Sequence, residues 1–311
     1  MAVELRLKEL SKKEDLFTHG HRLCSGCGAP IVVKMVLLAS EYPLIACSST
    51  GCLEVSSCIS QYTAWKVPWI HSAFENAGAT IAGVETMYRA MKKKGKVDKE
   101  IKFVTFCGDG GTYDIGLQSL SGAMERGHDM LYICYDNGAY MNTGIQRSSA
   151  TPLGAETTTS PAGKVIPGKT QERKNLTRIM AAHDIPYVAQ ASISYWLDLM
   201  KKVRKAFSIK GPKFMNILSP CNRGWRSRTD DAIMLSRLAV DTCYWPLYEV
   251  ENGVTRITFK PKEKMPIVDF LKPQGRFRHL FSPENEWIIK KLQEDIDREW
   301  KRLQKESSLQ A

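Results

Sequence analysis

The distribution of apolar and polar residues predicts alternating strands and helices along most of the chain. The clearest unit begins with a β-rich run at residues 101–107, passes through a glycine turn into a helical pattern at residues 113–126, and closes at Gly127. The next run, at residues 130–135, is apolar almost throughout, as in strands of a parallel sheet that helices cover on both faces. Strand, helix and strand at this spacing predict a right-handed βαβ unit.

The alternation continues further along the chain. Residues 176–183 and 195–208 have helical patterns, whereas residues 187–191 and 214–218 have the composition of strands. A short strand at residues 43–46 leads into the polar turn before Cys52. We therefore expect an α/β fold with a doubly wound, mostly parallel sheet.

Two segments depart from this alternation. Residues 4–17 place leucines among charges at roughly helical spacing, which predicts a short amphipathic arm. Residues 144–175 are rich in Thr, Ser, Pro, Gly and Lys and have no apolar periodicity. We expect this long segment to be a functional loop over the active-site edge or a partner surface.

The pattern changes again near Asp230, and this change predicts the domain organisation. A helix, a polar hairpin around Asn252 and a charged terminal helix at residues 283–305 follow. We expect one domain over residues 1–229 and a C-terminal extension over residues 230–311 that packs on the body and on partner subunits.

Composition excludes several classes of protein. Of the 311 residues, 43% are hydrophobic and 25% are charged, as is usual for a globular chain. No uncharged apolar run approaches the roughly 20 residues that span a bilayer. Nine cysteines, an odd number without a secretion signal, argue against a disulfide framework. We expect a soluble cytoplasmic protein that does not bind a membrane.

The formal net charge is +11, from 44 Lys and Arg against 33 Asp and Glu. Such a balance suits an acidic partner, but no helix-turn-helix, finger or RNP signature supports nucleic acid. An acidic electron carrier fits better than nucleic acid.

Four of the cysteines stand where they can act as ligands. Cys24 and Cys27, followed by Gly28, have a spacing that can turn both sulfurs toward one centre. Cys52 and Cys221 each follow a predicted strand, at the carboxyl edge where open α/β sheets assemble their sites. We predict that the four thiolates hold one [4Fe–4S] cluster, with a zinc knuckle as the alternative. The other cysteines are predicted to be buried: Cys47, Cys58, Cys107, Cys134 and Cys243.

A glycine turn after the strand at residues 101–107 suits a phosphate group. Gly108, Gly110 and Gly111 allow close approach of the backbone, and the next helix directs its N–H groups toward the ligand. Asp109 can bind a cation, and Asn137, after the neighbouring strand, would complete a Mg²⁺ site. A plain glycine turn and an Asx turn are the alternatives for the two halves. Together they match the signature of thiamine-diphosphate enzymes, and no P-loop or G-x-G-x-x-G fingerprint is present.

At these residues the sequence resembles the beta subunit of pyruvate:ferredoxin oxidoreductase, over nearly the whole chain. The resemblance is carried by residues 20–30 (GHRLCSGCGAP), 50–55 (TGCLEV), 62–69 (YTAWKVPW), 71–76 (HSAFEN), 108–121 and 140–144 (YMNTG). It implies an α/β sheet of the thiamine-diphosphate-binding type.

The resemblance also implies roles for single residues. Cys24, Cys27, Cys52 and Cys221 would bind the cluster nearest the thiamine. Asp109, Asn137 and the Ala139 carbonyl would hold Mg²⁺. Asn142 would lie beside the thiazolium ring, where the 2-oxoacid binds. Thiamine diphosphate would be bound by Thr50, Gly51, Gly108, Asp109, Gly110, Gly111, Asn137, Tyr140 and Thr143.

The implied reaction is thiamine-dependent oxidative decarboxylation of a 2-oxoacid, pyruvate first, with coenzyme A giving acetyl-CoA and CO₂. Electrons would leave through the proximal cluster to ferredoxin. The chain has no C-x₂-C-x₂-C-x₃-C-P run, so ferredoxin-like clusters must lie on another subunit. The carboxylate that activates the aminopyrimidine would also belong to a partner. The chain should therefore work only with subunits of the alpha, gamma and delta types.

Other interpretations remain open. Close pyruvate-type relatives commonly have an acidic residue where this chain has Gly138, and its loss could admit oxalate. A non-redox thiamine decarboxylase or synthase subunit with structural zinc is a second alternative. A basic scaffold or nucleic-acid binder is a third, with little motif support.

Overall fold

The computed structural model describes residues 5–59 and 61–309 and contains one eight-stranded sheet and one small hairpin. The strands are β1 (Leu44–Ser49), β2 (Cys58–Ile59), β3 (Tyr62–Thr63), β4 (Trp69–Ser72), β5 (Lys102–Gly108), β6 (Leu131–Asp136), β7 (Tyr187–Ser192), β8 (Lys213–Leu218), β9 (Leu247–Glu251) and β10 (Val254–Phe259). Strands β2 and β3 form the hairpin, and the sheet order is β10-β9-β7-β8-β6-β5-β1-β4. Along the sheet from β7 to β4, neighbouring strands are parallel, whereas β9 pairs antiparallel with both β7 and β10. The predicted mostly parallel sheet is confirmed.

Helices cover both faces of the sheet, as a doubly wound fold requires. They are α1 (Leu7–Leu10), α2 (Ala29–Ala39), α3 (Cys52–Ser57), α4 (Ala77–Lys93), α5 (Leu117–Glu125), α6 (Leu176–Ala181), α7 (Trp196–Ser208), α8 (Asn222–Trp225), α9 (Ala232–Asp241), α10 (Ile267–Leu271) and α11 (Glu286–Leu309). Helices α2 and α7 share one apolar core with the sheet, and α4, α5 and α6 share the other. Within the described ranges, no helix has both the length and the apolar character needed to cross a membrane.

The predicted amphipathic arm is helical over one turn only, at Leu7–Leu10, and Glu4 lies outside the described residues. Beyond this turn, the Asp15 carboxylate accepts the backbone N–H of Phe17 at 3.1 Å. Such local side-chain bonds compete with a helix. Phe17 is instead fully buried against Trp65, so the arm packs on the body.

The segment after residue 230 contributes to the sheet itself. Strand β9 pairs with β7, and a turn at Asn252 and Gly253, both with positive φ, returns the chain as β10. Helices α9, α10 and α11 form a third apolar cluster with Trp225. This segment therefore packs on the body, and its contact with partner subunits stays a prediction.

The carboxyl ends of β1, β5, β6 and β8 lie side by side, because these neighbours are parallel. Residues 137–175, all described, contain no helix or regular strand and follow β6 as the predicted long loop. The turns after these four strands therefore meet at one edge of the sheet, which is where such folds place ligands.

Candidate functional site at the carboxyl edge

The glycines of the turn after β5 are required by packing. A Cβ atom on Gly110 would overlap the Tyr140 ring, and one on Gly111 would lie 2.7 Å from the Cys107 sulfur. The Tyr140 hydroxyl donates a hydrogen bond to the Gly110 carbonyl at 2.9 Å. After Asp109 the chain enters a π-helical turn, Gly110–Ile115, that continues into α5. The turn thus brings backbone close to the loop that follows β6.

Asp109 is fully buried beneath this turn. One carboxylate oxygen accepts the Ser148 hydroxyl at 2.5 Å, and the other accepts the Asn137 backbone N–H at 3.2 Å. Burial raises the pKa of Asp109 well above its ordinary value, the nearby Asp136 raises it further, and the Ser148 bond opposes both. A cation beside Asp109 would reverse this preference, because it favours the charged carboxylate.

The Asn137 side-chain amide can face the corner formed by Asp109 and the Ala139 carbonyl in two orientations. With its nitrogen inward, it donates to the Ala139 carbonyl and to Asp109 Oδ1, each at 2.9 Å. With its oxygen inward, this oxygen lies 2.9 Å from the Ala139 carbonyl oxygen and 2.9 Å from Asp109 Oδ1, without a proton between them. An octahedral Mg²⁺ site with bonds of 2.0–2.1 Å separates adjacent oxygens by about 2.9–3.0 Å. The residues present therefore fit a magnesium ion, which would favour the second arrangement.

A small cleft opens beside this corner. Its lining contains most of the residues that the sequence singled out: Thr50, Gly51, Cys52, Gly108, Gly110, Gly111, Asn137, Ala139, Tyr140, Asn142 and Thr143. Ser49, Phe74, Tyr135 and Met141 complete it. The structure thus brings the predicted diphosphate, metal and substrate residues together, while their individual roles stay predictions.

Two side chains at the cleft have partners of their own. Thr50 Oγ1 lies 2.7 Å from His71 Nε2 and also donates to the Ser72 carbonyl at 3.3 Å. Thr143 donates to the Gln146 side chain at 2.5 Å. Both hydroxyl groups are therefore oriented before any ligand binds, and sequence reasoning did not identify the position of His71 beside Thr50.

A buried network of charged and polar side chains lies next to the turn that contains Asn137. The Asp136 carboxylate accepts hydrogen bonds from Tyr113 at 2.6 Å, from Arg173 at 2.5 Å and from the Gly138 backbone at 3.1 Å. Asn216 in turn donates to the Tyr113 hydroxyl at 2.7 Å. The network fixes the start of the turn that contains Asn137. Sequence reasoning missed Arg173 and Ser148, because both lie in the loop without periodicity.

The predicted thiol ligands approach the same edge from three segments. Cys27 donates its backbone N–H to the Cys24 carbonyl at 3.0 Å, in a turn whose Gly26 has a φ of +79°. Gly28 donates to the Pro220 carbonyl at 3.0 Å, which joins this turn to the segment before Cys221. Cys52 begins α3, directly after β1 and the Thr50–Gly51 turn.

The four thiols are close enough to influence one another electrostatically. Burial raises the pKa of Cys27 to about 12, and Cys221, Cys52 and Cys24 each add to this increase. Burial also raises the pKa of Cys52 to about 11, again with contributions from Cys221 and Cys24. At neutral pH these pKa values keep Cys27 and Cys52 protonated, whereas a metal or cluster binds cysteines as thiolates. The Cys221 sulfur also accepts the Gly224 N–H at 3.4 Å.

The thiol group does not have the geometry of a site for one metal ion. Among the residues that the structure describes, no three His, Cys, Asp or Glu side chains lie close enough to hold one metal ion. The oxygen corner at Asp109 is of another kind, since it includes an amide and a main-chain carbonyl.

The remaining cysteines follow the prediction with one exception. All nine are free, and Cys47, Cys107, Cys134 and Cys243 are buried as expected. The prediction for Cys58 is wrong, because this residue is exposed. It lies in the two-residue strand β2 of the small surface hairpin, which has no second layer to cover it.

Comparison with known proteins is consistent with this geometry. The family model described as the thiamine pyrophosphate enzyme, C-terminal TPP binding domain, matches residues 49–217, more than half of the chain. The pyruvate synthase subunit PorB of Thermotoga maritima is 55% identical over 302 residues, 95% of this chain and 93% of that protein. The PorB subunit of Methanocaldococcus jannaschii is 54% identical over 293 residues, 94% and 97% of the two chains.

More distant relatives extend the comparison. The ketoisovalerate oxidoreductase subunit VorB of Pyrococcus abyssi is 45% identical over 294 residues, 94% of this chain and 93% of that protein. The structure of 2-oxoglutarate:ferredoxin oxidoreductase from Magnetococcus marinus matches with a TM-score of 0.53 and 20% identity, over 70% of this chain and 77% of that one, and shares the fold. The thiamine-binding signature, the mostly parallel sheet and these identities agree: the chain belongs to the family of thiamine-diphosphate-binding beta subunits of 2-oxoacid:ferredoxin oxidoreductases.

Proposed function

We propose that the chain binds thiamine diphosphate through Mg²⁺ at the oxygen corner and one [4Fe–4S] cluster at the four thiols. In a complex with partner subunits it would decarboxylate pyruvate oxidatively, with coenzyme A as acyl acceptor. Electrons would pass through the cluster to ferredoxin, in the cytoplasm. The observation that carries the proposal is that Cys52 lines the cleft above Asp109 and also belongs to the thiol group.

The chain's own residues support the cofactor assignment. Asp109, Asn137 and the Ala139 carbonyl would hold the cation, and Gly110 and Gly111, which line the cleft, would contact the diphosphate through their backbone. Bound thiamine diphosphate supplies the carbanion chemistry that a 2-oxoacid needs in order to lose CO₂. Protein side chains position the group and exclude water, with Asn142 at the cleft wall beside the substrate.

The cluster assignment depends on the convergence of Cys24, Cys27, Cys52 and Cys221. Backbone N–H groups near Cys27 and Cys221 point at their sulfurs and favour the thiolate form. The adjacency of Cys52 to the cleft gives electrons a short route from substrate to cluster.

The substrate assignment favours pyruvate over oxalate. A side chain at Gly138 would point toward Arg276 and Pro152, away from the cleft, so the missing acidic residue does not alter the substrate surface of this chain. The described cleft residues include no Lys, Arg or His to pair with the substrate carboxylate. That charge would come from a partner subunit, which agrees with a requirement for the complex.

The test is anaerobic purification of the complex, followed by iron, sulfide and thiamine analysis and by addition of pyruvate or oxalate. We expect about four irons beyond those of the ferredoxin-like clusters on the partner subunit, bound thiamine diphosphate and bleaching of the visible absorption by pyruvate. Zinc in place of these additional irons, without substrate-dependent bleaching, would refute the redox function. Bleaching by oxalate and not by pyruvate would instead identify oxalate as the substrate.

A further inference from the structure

Arg276 is a buried cation without a matching anion. Its side chain is 3% exposed and lies in the 3₁₀ turn Gly275–Phe281, within the C-terminal segment. Its Nε donates to the neutral Gln274 side chain at 2.9 Å. Among residues 5–59 and 61–309, no carboxylate forms an ion pair with this guanidinium. Because burial of an unpaired charge costs free energy, its presence calls for a functional reason.

The surroundings of Arg276 connect it to the proposed thiol centre. The guanidinium stacks 4.2 Å from the Trp225 ring, and Trp225 ends the short helix α8 that Cys221 caps. The Trp225 backbone N–H donates to the Cys221 carbonyl at 2.8 Å. Its indole N–H donates to the Asn137 carbonyl at 2.6 Å. Trp225 therefore connects Cys221, through its backbone, to the Asn137 turn, through its indole, and Arg276 covers the indole ring.

The other side of the guanidinium faces Gly138. A Cβ atom on this glycine would lie 3.1 Å from Arg276 Nη1. Glycine supplies no anion here, and Asp136, the nearest acidic residue in sequence, is already paired with Arg173 at 2.5 Å. Arg276 therefore has no direct ion-pair partner between the Cys221 segment and the turn at Asn137, and Asp136 and Asp109 act on its charge only from a distance.

A fixed positive charge at this position would change the free energy of reducing a nearby cluster. Reduction of a cluster adds one negative charge, and a nearby cation stabilises the reduced form more strongly in a dry environment than in water. Burial lowers the pKa of Arg276 to about 10, so its guanidinium stays charged at neutral pH. We propose that Arg276 raises the reduction potential of the cluster held by Cys24, Cys27, Cys52 and Cys221, an inference that rests on the cluster proposed above.

The experiment compares four forms of the full chain, each purified anaerobically with its cluster. These are the wild type, Arg276→Gln, Arg276→Lys and the matched control Arg278→Gln, which removes the same charge from an exposed position in the same turn. Iron content and thermal unfolding are measured first. A redox titration, followed by visible absorption and electron paramagnetic resonance, then gives each midpoint potential.

We expect Arg276→Gln to lower the midpoint potential. An effect of about tenfold on the equilibrium constant for reduction corresponds to about 59 mV for one electron. Arg276→Lys keeps the charge and should retain most of the potential, although it loses the planar stack on Trp225. Arg278→Gln should match the wild type.

Two results would overturn the inference about Arg276 and leave the proposed cluster unaffected. One is an Arg276→Gln chain with full iron content and an unchanged potential. The other is an equal shift in Arg276→Lys and Arg276→Gln, which would assign the effect to packing. If Arg276→Gln fails to retain iron, Arg276→Met preserves the aliphatic stem and replaces it in the titration. Absence of iron from the wild type would instead refute the proposed cluster, and this inference with it.

Discussion

Asp109 illustrates how a single buried carboxylate depends on what binds next to it. Its two oxygens accept hydrogen bonds from Ser148 and from the Asn137 backbone, yet the neighbouring Asp136 and the lack of water still disfavour its charge. Burial therefore makes the charged form of Asp109 costly by itself, and a neighbouring cation would stabilise it.

We expect Asp109→Asn to weaken binding of thiamine diphosphate in the presence of Mg²⁺ by at least about tenfold, because a charged metal ligand is lost. Calorimetric titration measures this affinity. The exposed Asp98→Asn is the control with the same loss of charge. Because a neutral amide is easier to bury than a carboxylate, the variant without ligand should unfold at or above the wild-type temperature. Unchanged affinity would refute the metal role.

Lys169 is a buried cation of a different kind, in the long loop after β6. It donates to the carbonyls of Thr151 at 2.6 Å and Glu172 at 3.2 Å. Burial, assisted by Arg147 and Arg173, lowers the pKa of Lys169 to about 8. Between this pH and about 10.4, the folded chain has lost a proton that the unfolded chain keeps. The contribution of Lys169 to stability therefore rises with pH across this window.

Comparison of Lys169→Met with the wild type should reveal this dependence. From about pH 7.5 to about pH 9.5, the free energy of unfolding of the wild type should gain on that of the variant by roughly 1–2 kcal/mol. Denaturant unfolding at both pH values measures the difference. The exposed Lys164→Met, in the same loop, should show no such change. A difference independent of pH would mean that Lys169 keeps an ordinary pKa.

The turn from Cys24 to Cys27 is the local element on which the thiol group depends. Gly26 has a φ of +79°, and a Cβ atom there would overlap the Thr229 carbonyl oxygen. Gly95, by comparison, has a φ of +67° and open space around it. Both glycines permit a left-handed backbone, but only Gly26 is confined by another segment.

We therefore expect Gly26→Ala to lose most of its cluster iron, because the turn must move away from the segment that ends at Thr229. Gly95→Ala carries only the conformational strain, about 1 kcal/mol, and should keep its iron. Iron and sulfide content per chain, with thermal unfolding as a check on the fold, measures the effect. Full iron in Gly26→Ala would argue against a cluster at this turn.

At the scale of the whole molecule, the candidate site lies at one edge of the eight-stranded sheet. The cleft residues described supply oxygen, thiol and aromatic groups but no basic side chain for a substrate carboxylate. The chain also has a net charge of +11, which suits association with acidic partners. Both features agree with a subunit that needs its complex.

The isolated chain should therefore release no CO₂ from pyruvate above background, even when it is loaded with thiamine diphosphate and iron. Addition of the partner subunits should restore turnover, since they supply the missing charge and the outward electron path. Release of labelled CO₂ measures this directly, with the intact complex as the reference. Turnover by the isolated chain at the rate of the complex would contradict the assignment of essential residues to partners.

The sequence determined much of the fold and the composition of the site. Strands β5 and β6 and the turn at Gly108–Gly111 were predictable, because their hydrophobic periodicity and glycine spacing are local properties. The strand before Cys52 was predicted at residues 43–46 but extends to Ser49, since Cys47 and Ser48 are buried between neighbours. Helices α2 and α4 and strand β4 were not predicted, although α4 spans 17 residues.

Only the tertiary structure decided which side chains support the predicted ones. Ser148 beneath Asp109 and Arg276 over Trp225 reach the site across 39 and 51 positions of the sequence, and no local pattern marks such contacts. The groups that a side chain at Gly138 would meet are likewise set by the packing of Arg276 against the turn. The exposure of Cys58 was decided by the absence of a layer over its hairpin. Periodicity and spacing are set by neighbours along the chain, whereas burial, pairing of charges and convergence on a site are set by neighbours in space.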